Sequence, residues 1–212
     1  MTLLTPEKAY IFRIVHIANV PWILDNGLHC RNSRQHDPDF VEIGNSELIE
    51  KRKQREVDSP QGGVLSDYVP FYFTPHSPML YNIKTGYQGL TQRPMKDIVV
   101  MVSSLPKLVA QKIPFVFSDR HANLLTATFF DDLADLHHIP WKLLNNRDFK
   151  RDPNDPSKFE RYQAEALVYK HLPVAALSGI ICYGEAQKSI LRGHIEKRRQ
   201  TMKVEVQPGC YF

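Results

Sequence analysis

The sequence has few cysteines and none of the spacings that cysteine chemistry requires. Cys30, Cys182 and Cys210 are the three cysteines of the 212-residue chain, and they form neither a CxxC pair nor a Cys/His cluster. Disulfide frameworks need paired cysteines, and structural zinc sites draw their ligands from closely spaced Cys and His residues. We therefore expect neither a disulfide framework nor a bound metal ion.

Long apolar runs and glycine-rich phosphate loops are also missing. A membrane-spanning helix needs about 20 consecutive apolar residues, and a signal peptide needs an apolar core where this chain begins with the charged segment MTLLTPEKAYIFRIVH. Neither a Walker-type loop nor a GxGxxG motif occurs. We expect a soluble cytoplasmic protein that makes no membrane contact.

Internal repeats, low-complexity segments and interdomain linkers are absent as well. The chain has 42% hydrophobic residues, enough for one well-buried core, so we expect a single domain over residues 1–212 and a monomer. The net charge of +4 is compatible with an anionic partner and does not require one.

Several segments have the composition of strands. The first is 10–16, followed by 69–75, 97–102, 115–117, 178–183 and 203–206, all rich in β-branched, aromatic or aliphatic residues. Short helices are predicted after Asn19, over 46–55 and over 185–199. Strands interspersed with few helices predict a mixed sheet of the α+β class.

The segment Lys158–Tyr169 contains the triplet Gln163-Ala164-Glu165. In a strand, residues i and i+2 share one face, so Gln163 and Glu165 would point into one cleft, whereas a helix would separate them by about 200°. Local propensity favours neither state, because good helix formers precede strand formers. The breaker run Asp152–Pro156 upstream favours the strand.

Basic and aromatic residues elsewhere suggest ligand contacts. In the polar segment 32–67, Arg52 or Arg55 is a candidate to face a phosphate or ribose. Tyr72 lies opposite Phe71 and Phe73 on its strand, which suits either stacking on a ligand or a rim position. Met79 falls in a predicted loop over 76–81, and the following turn-rich segment 84–93 ends at Arg93.

Two histidines have both a functional and a structural interpretation. Ser118-Asp119 predicts the start of a helix that continues through Leu136, with His121 in its first turn, where helix amides attract anions. His121 would then contact a phosphate or a base, or act as a local cap. His16, at the end of the first strand, is either a site residue or a histidine bonded to the backbone.

Taken together, these segments resemble the DarT family of bacterial DNA ADP-ribosyltransferase toxins along nearly the whole chain. The resemblance is carried by RIVHIANVPWILDNGLHC, IGNSELIEKR, DYVPFYFTPHSPMLY, PFVFSDRHA, RDFKRDPNDPSKFERYQAEALV and GIICYGE, in that order. It implies an ADP-ribosyltransferase fold, in which a split, mixed or antiparallel sheet with flanking helices holds NAD in a central cleft. It also implies transfer of ADP-ribose from NAD to thymidine in single-stranded DNA.

The resemblance also assigns roles to individual residues. Glu165 falls on the catalytic glutamate and Arg52 on the arginine beside it. The residues implied to contact NAD are Arg13, His16, Tyr72, His121 and Gln163. The residues expected to contact DNA are Met79, Arg93, Arg147, Arg151 and Arg161. Some relatives carry an arginine where this chain has Phe159, and Lys158 or Arg161 is the substitute.

The family further implies a cognate macrodomain antitoxin that removes ADP-ribose, with NAD as co-substrate and no metal. Two alternatives share parts of this evidence. One is an ADP-ribosyltransferase that modifies another base, RNA or protein, and the other is a nucleic-acid-binding protein without catalysis.

Overall fold

A mixed eight-stranded sheet forms the centre of the structure, a computed structural model that describes residues 3–212 apart from the side chain of Gln88. The strands in that range are β1 (Tyr10–His16), β2 (Leu28–His29), β3 (Tyr68–Tyr72), β4 (Ile98–Ser104), β5 (Phe115–Ser118), β6 (Phe129–Phe130), β7 (Glu165–Tyr169), β8 (His171–Leu172), β9 (Gly179–Cys182) and β10 (Lys203–Val206). The helices are α1 (Val20–Asn26), α2 (Ser46–Arg52), α3 (Pro78–Thr85), α4 (Leu105–Ala110), α5 (Trp141–Asn146), α6 (Lys158–Arg161) and α7 (Glu185–Lys197). Turns of 3-10 helix cover Ile17–Asn19, Leu65–Asp67, Tyr87–Gly89, Met95–Asp97, Leu133–His138, Val174–Ala176 and Pro208–Cys210.

The strand order of the sheet is β10-β9-β4-β1-β3-β7-β5-β6. β9 and β10 are parallel, and the other neighbouring pairs are antiparallel. β2 and β8 form a separate two-stranded ladder. This arrangement confirms the predicted mixed sheet of the α+β class.

The sheet is nearly split between β1 and β3. β1 pairs with β4 along its whole length, from Tyr10 to His16, but meets β3 at the single position where Phe12 lies opposite Tyr72. The Arg13 guanidinium bridges the gap, since its Nη1 donates to the Pro70 carbonyl of β3 at 2.9 Å. A side chain thus replaces part of the missing ladder, and a cleft opens where the two strands diverge.

The helices around the sheet are short. α7 is the longest, with 13 residues, and α2 buries none of its side chains. Of the helices within residues 3–212, none combines the length and apolar composition that crossing a bilayer requires.

The helix predicted from Ser118 to Leu136 is wrong. Residues 119–128 form a loop, β6 follows, and the next turn is the 3-10 helix Leu133–His138. The Asp119 carboxylate accepts from the Thr128 amide at 3.1 Å and closes this loop instead of capping a helix. Leu125, counted toward the apolar face of the helix, is 88% exposed.

The loop predicted over residues 76–81 contains the start of a helix. Ser77 caps α3 by accepting from the Leu80 amide, Pro78 occupies the first turn, and Gly86 ends the helix with φ +72°. Serine and proline are found both in turns and at helix starts, so the same residues are compatible with either structure. Met79 therefore lies on a helix and not in a loop.

The strand predicted for the segment around Gln163 begins two residues later. Lys158–Arg161 forms the short helix α6, and the side-chain Nε2 of Gln163 donates to the Phe159 carbonyl at 3.1 Å. The helix formers at the start of this segment follow their own propensity until Glu165 pairs with Tyr72. The shared face of Gln163 and Glu165 is therefore not formed.

A buried histidine makes the fold sensitive to acid. His76 is 2% exposed and packs edge-on against Phe212, and burial, with the charge of Arg147 adding to it, lowers the pKa of His76 to about 4. In the unfolded chain the pKa of a histidine is about 6.5. Between that pH and about 4, the unfolded state therefore binds a proton that the folded state does not bind.

We therefore expect the free energy of unfolding to fall as pH drops from about 6.5 toward 4. The His76 contribution to this loss is about 2 kcal/mol at pH 5. Urea unfolding at pH 7 and pH 5 measures the difference, which His76→Gln should reduce by that amount. An unchanged pH dependence in the variant would contradict the assignment.

Candidate active site

A cleft of about 580 Å³ opens where β1 and β3 diverge. Its floor is formed by residues of the sheet and of α2 and α3, namely Arg13, Arg52, Tyr72, Met79 and Glu165. The outer wall is formed by residues in the segments 27–31 and 35–45. Residues of the polar segment after β2 thus line the cleft.

Glu165 is the first residue of β7 and is 3% exposed. Both oxygens of its carboxylate are hydrogen-bonded: Oε2 accepts from Arg52 Nη1 at 2.9 Å, and Oε1 accepts from the Ala122 amide at 3.1 Å. Its own backbone amide donates to Ser118 Oγ at 3.3 Å. Arg52 and the loop that contains Ala122 therefore fix the carboxylate, which lines the cleft, and Ser118 holds the backbone behind it.

Arg52 reaches this carboxylate from the last turn of α2, and its side chain is 12% exposed. Its second terminal nitrogen, Nη2, is buried and has no hydrogen-bond partner among the described residues. A buried donor of this kind is normally satisfied by a ligand, by water or by protein. Arg52 also lines the cleft, so the unsatisfied nitrogen lies next to the space that a bound molecule would occupy.

His121 lies beside the same carboxylate, in the loop 119–128. Its Nδ1 accepts from the Asn123 amide at 3.1 Å and is 3.7 Å from Glu165 Oε1. Burial lowers the pKa of His121, although the neighbouring carboxylate acts in the opposite sense. The imidazole is therefore neutral at neutral pH, with its proton on Nε2, and it acts as a hydrogen-bond donor there.

Tyr72 faces Glu165 across the β3–β7 ladder and lines the cleft. Burial, followed by the Glu165 charge, raises the pKa of Tyr72. The hydroxyl consequently stays protonated at neutral pH, so Tyr72 offers a ring face and a donor and does not act as a base.

Two residues expected in the site lie outside it. His16 Nδ1 accepts from the Ala18 amide at 3.2 Å and caps the turn Ile17–Asn19, which is the structural interpretation of this residue. Gln163 is held at the end of α6. Neither side chain lines the cleft, and neither does His121, which belongs to the site through its position 3.7 Å from Glu165 Oε1.

The residues expected to contact DNA are dispersed. Met79 lines the cleft from α3, and Arg93 reaches the outer wall, where its Nη2 is 3.4 Å from the Glu42 carbonyl. Arg161 pairs with Asp155.

Three other basic residues are engaged by the protein itself. The Arg151 guanidinium lies over the Phe159 ring, 4.9 Å from its centroid. Arg147 Nη1 is 3.4 Å from the Gly209 carbonyl. Lys158, the other proposed substitute for the missing arginine, pairs with Asp148 at 2.8 Å.

Nothing in the sequence indicated that the backbone amide of Ala122 donates to the Glu165 carboxylate. The Ala122 amide has no side-chain signature, because any residue but proline supplies the same N–H group. Ser118 was considered only as a helix cap. One group among the described residues has donors suited to a metal ion, Asp135, His137 and His138, and none of these lines the cleft.

The chain is similar to known proteins over nearly its full length. A family model described as "ssDNA thymidine ADP-ribosyltransferase, DarT" matches residues 12–212. A DNA ADP-ribosyl transferase of Escherichia coli O127:H6 is 51% identical over 209 residues, which cover 99% of this chain and 96% of that protein. A DNA ADP-ribosyl transferase of Thermus sp. strain 2.9 is 40% identical over 201 residues, which cover 92% of each.

Solved structures show the same similarity in three dimensions. DarT of Thermus sp. 2.9 in complex with ADP-ribosylated single-stranded DNA matches with a TM-score of 0.90 and 33% identity, over 100% of both chains. The same Thermus protein in complex with NAD+ matches with a TM-score of 0.83 and 34% identity, over 98% of this chain and 99% of that one.

Proposed function

This chain belongs to the DarT family of DNA ADP-ribosyltransferases, and we propose that it transfers ADP-ribose from NAD to thymidine in single-stranded DNA, with release of nicotinamide. The predicted ADP-ribosyltransferase fold and enzyme class are confirmed by the relatives, whose complexes contain NAD+ and ADP-ribosylated single-stranded DNA. The specificity for thymidine over other bases and the role as a toxin are parts of the proposal.

The observation that carries the proposal is the ion pair at the cleft between the buried Glu165 and Arg52, whose side chain is 12% exposed. Pockets for cofactor-sized ligands typically measure about 300–1,000 Å³, and the cleft of about 580 Å³ falls within that range. A binding protein without catalysis has no need of a buried carboxylate at the cleft whose two oxygens are oriented by an arginine and a backbone amide.

The carboxylate suits the chemistry of NAD cleavage. When the bond between nicotinamide and ribose breaks, positive charge develops at the anomeric carbon, as it does in glycoside hydrolysis. A fixed carboxylate that accepts from a ribose hydroxyl stabilises that charge, because its position requires no reorganisation during the reaction. We assign this role to Glu165.

The second half of the reaction requires a nucleophilic base. The imide nitrogen of thymine attacks well only after its proton leaves, so the site needs a proton acceptor. The Arg52 guanidinium is permanently charged and paired with Glu165, so it is suited to stabilise the negative charge on the deprotonated base. Glu165 is therefore the proposed acceptor of the proton.

Three further residues are proposed to hold NAD. Tyr72 offers its ring for stacking, neutral His121 donates from Nε2, and Arg13 keeps the cleft open by bridging β1 and β3. Arg13 Nε is buried without a partner among the described residues, which leaves it available to the ligand.

Single-stranded DNA is the proposed substrate because its bases are reachable without the few kcal/mol that unpairing a duplex costs. Met79 on α3 is the proposed base contact, and Arg93, Arg147, Arg151 and Arg161 are the proposed phosphate contacts. The proposal includes a macrodomain antitoxin, a reaction without a metal ion, a single monomeric domain over residues 1–212, and a location in the bacterial cytoplasm, where NAD and DNA meet.

Incubation with NAD and short single-stranded oligonucleotides, followed by mass spectrometry, tests the proposal. We expect one ADP-ribose on oligonucleotides that contain thymidine, none on matched oligonucleotides without it, and less on the duplex. An adduct on another base, on RNA or on protein would favour the alternative enzyme. Absence of both adducts and nicotinamide release would favour the binding protein.

A further inference from the structure

Arg55 lies three residues after Arg52, at the start of a hydrogen-bonded hairpin over residues 55–65. Its carbonyl accepts from the Leu65 amide at 2.9 Å, the Val57 amide donates to the Gly63 carbonyl at 2.9 Å, and Glu56 bridges Val64 between them. Val57 is buried. The backbone of Arg55 is therefore fixed independently of α2, whose own residues are not buried.

The Arg55 side chain does not reach the cleft and contacts the loop 119–128 instead. Its Nη2 donates to the Leu124 carbonyl at 3.1 Å, and its guanidinium lies over the ring of Phe129, 5.5 Å from the centroid. A guanidinium recognises a carbonyl and an aromatic face together better than a lysine ammonium does.

This loop carries two of the groups that surround Glu165. The Ala122 amide donates to Glu165 Oε1, and His121 Nδ1 is 3.7 Å from the same oxygen. The loop is closed at its base, where Asp119 and Thr128 bond to each other through backbone and carboxylate.

Beyond Ala122 the loop turns away from the protein. Leu125 at its tip is 88% exposed, so packing does not hold that side of the loop. The contact from Arg55 to the Leu124 carbonyl secures the segment between the buried Ala122 and the exposed tip.

We propose that Arg55 is a positioning residue that holds the loop 119–128 so that the Ala122 amide and His121 stay against Glu165. Arg52 and Arg55 then orient the two oxygens of one carboxylate from one segment of the chain. Arg52 contacts Oε2 directly, and Arg55 acts on Oε1 through the loop. This inference rests on the proposed function for its catalytic consequence, whereas its structural part stands on the contacts alone.

The test compares Arg55→Met, Arg55→Lys and the control Lys53→Met, which removes an equal charge from an exposed residue paired with Glu50. In Arg55→Met we expect kcat for transfer to fall roughly 10- to 100-fold, the range that loss of a charged hydrogen bond gives, with KM for NAD nearly unchanged. Arg55→Lys should keep part of the activity, because its ammonium still donates to a carbonyl. Lys53→Met should match the wild type.

A second measurement reports on the loop itself. Because burial lowers the pKa of His121, NMR titration of its ring should show the pKa rising toward the ordinary value once Arg55→Met frees the loop. Phe129→Leu, which removes the ring beneath the guanidinium, should shift the titration in the same direction and serves if Arg55→Met does not fold.

Wild-type kcat and an unchanged His121 titration in Arg55→Met would overturn the proposal. So would an activity loss that only follows a lower Tm, because Arg55 would then be a stabilising residue. If the wild-type protein forms no DNA adduct, the proposed function fails, and the titration still decides whether Arg55 holds the loop.

Discussion

We expect Glu165→Gln to lower kcat for ADP-ribose transfer by at least about 10²–10³-fold, the loss typical when one preorganised group that stabilises transition-state charge is removed. Glutamine has nearly the same shape, so it still accepts from the Ala122 amide. It has no negative charge, however, and its NH₂ group meets Arg52 Nη1 as donor against donor. Both roles proposed for Glu165, stabilisation of the ribose cation and acceptance of the thymine proton, should then be lost.

The prediction is checked with steady-state kinetics on a thymidine oligonucleotide and with NAD binding by calorimetry. We expect KM and Kd for NAD to change much less than kcat, since the interaction that is removed acts mainly in the transition state. Glu160→Gln is the matched control: it makes the same chemical change five residues earlier, on a side chain that is 41% exposed. Near-normal turnover in Glu165→Gln would remove Glu165 from the mechanism.

Arg52→Met is expected to have the second largest effect, because it impairs both catalysis and stability. It removes the cation proposed to stabilise the deprotonated base, and we expect kcat to fall by about 10²-fold or more. It also leaves a carboxylate that is 3% exposed with the Ala122 amide as its remaining close donor. Leaving a buried polar group short of a partner costs about 1–3 kcal/mol, so the free energy of unfolding should fall by about that amount.

Arg52→Lys separates the two effects. Lysine keeps the positive charge and should recover most of the stability, but it lacks the planar pair of donors and should recover less of the activity. In the double variant Glu165→Gln/Arg52→Met, the two losses in kcat should not multiply, because the pair acts as a unit. Multiplicative losses would show that the two residues act independently.

The sequence alone predicted the secondary structure where a segment has only one way to bury its apolar residues. β4 is a continuous apolar run, and the strand at Tyr10–His16 and the helix that begins near Glu185 follow from equally clear patterns. It predicted the wrong structure where short segments contain residues that are common both in turns or loops and at helix starts. Ser77-Pro78 begins a helix instead of a turn, and Ser118-Asp119 closes a loop instead of beginning a helix.

The site could be predicted only in part for a related reason. Arg52 and Glu165 are 113 residues apart, and no local pattern relates them, so the resemblance to a family supplied the pair. Geometry inferred from the sequence placed Gln163 beside Glu165, because the strand was extended two residues too far. The contribution of Ala122 is a backbone amide, whose direction depends on the fold and not on the residue type.

The place of β7 in the sheet has a consequence for protein synthesis. β7 lies between β3 and β5, which the ribosome produces earlier, so both have an unpaired edge until residues 165–169 emerge. At about 5–20 residues per second, the nascent chain exists in this incomplete state for several seconds or longer. Once residue 121 has been added, the chain contains Arg52, Tyr72 and His121 but still lacks the carboxylate of Glu165. Prematurely terminated chains are therefore expected to be inactive and, because of their open edges, prone to aggregate.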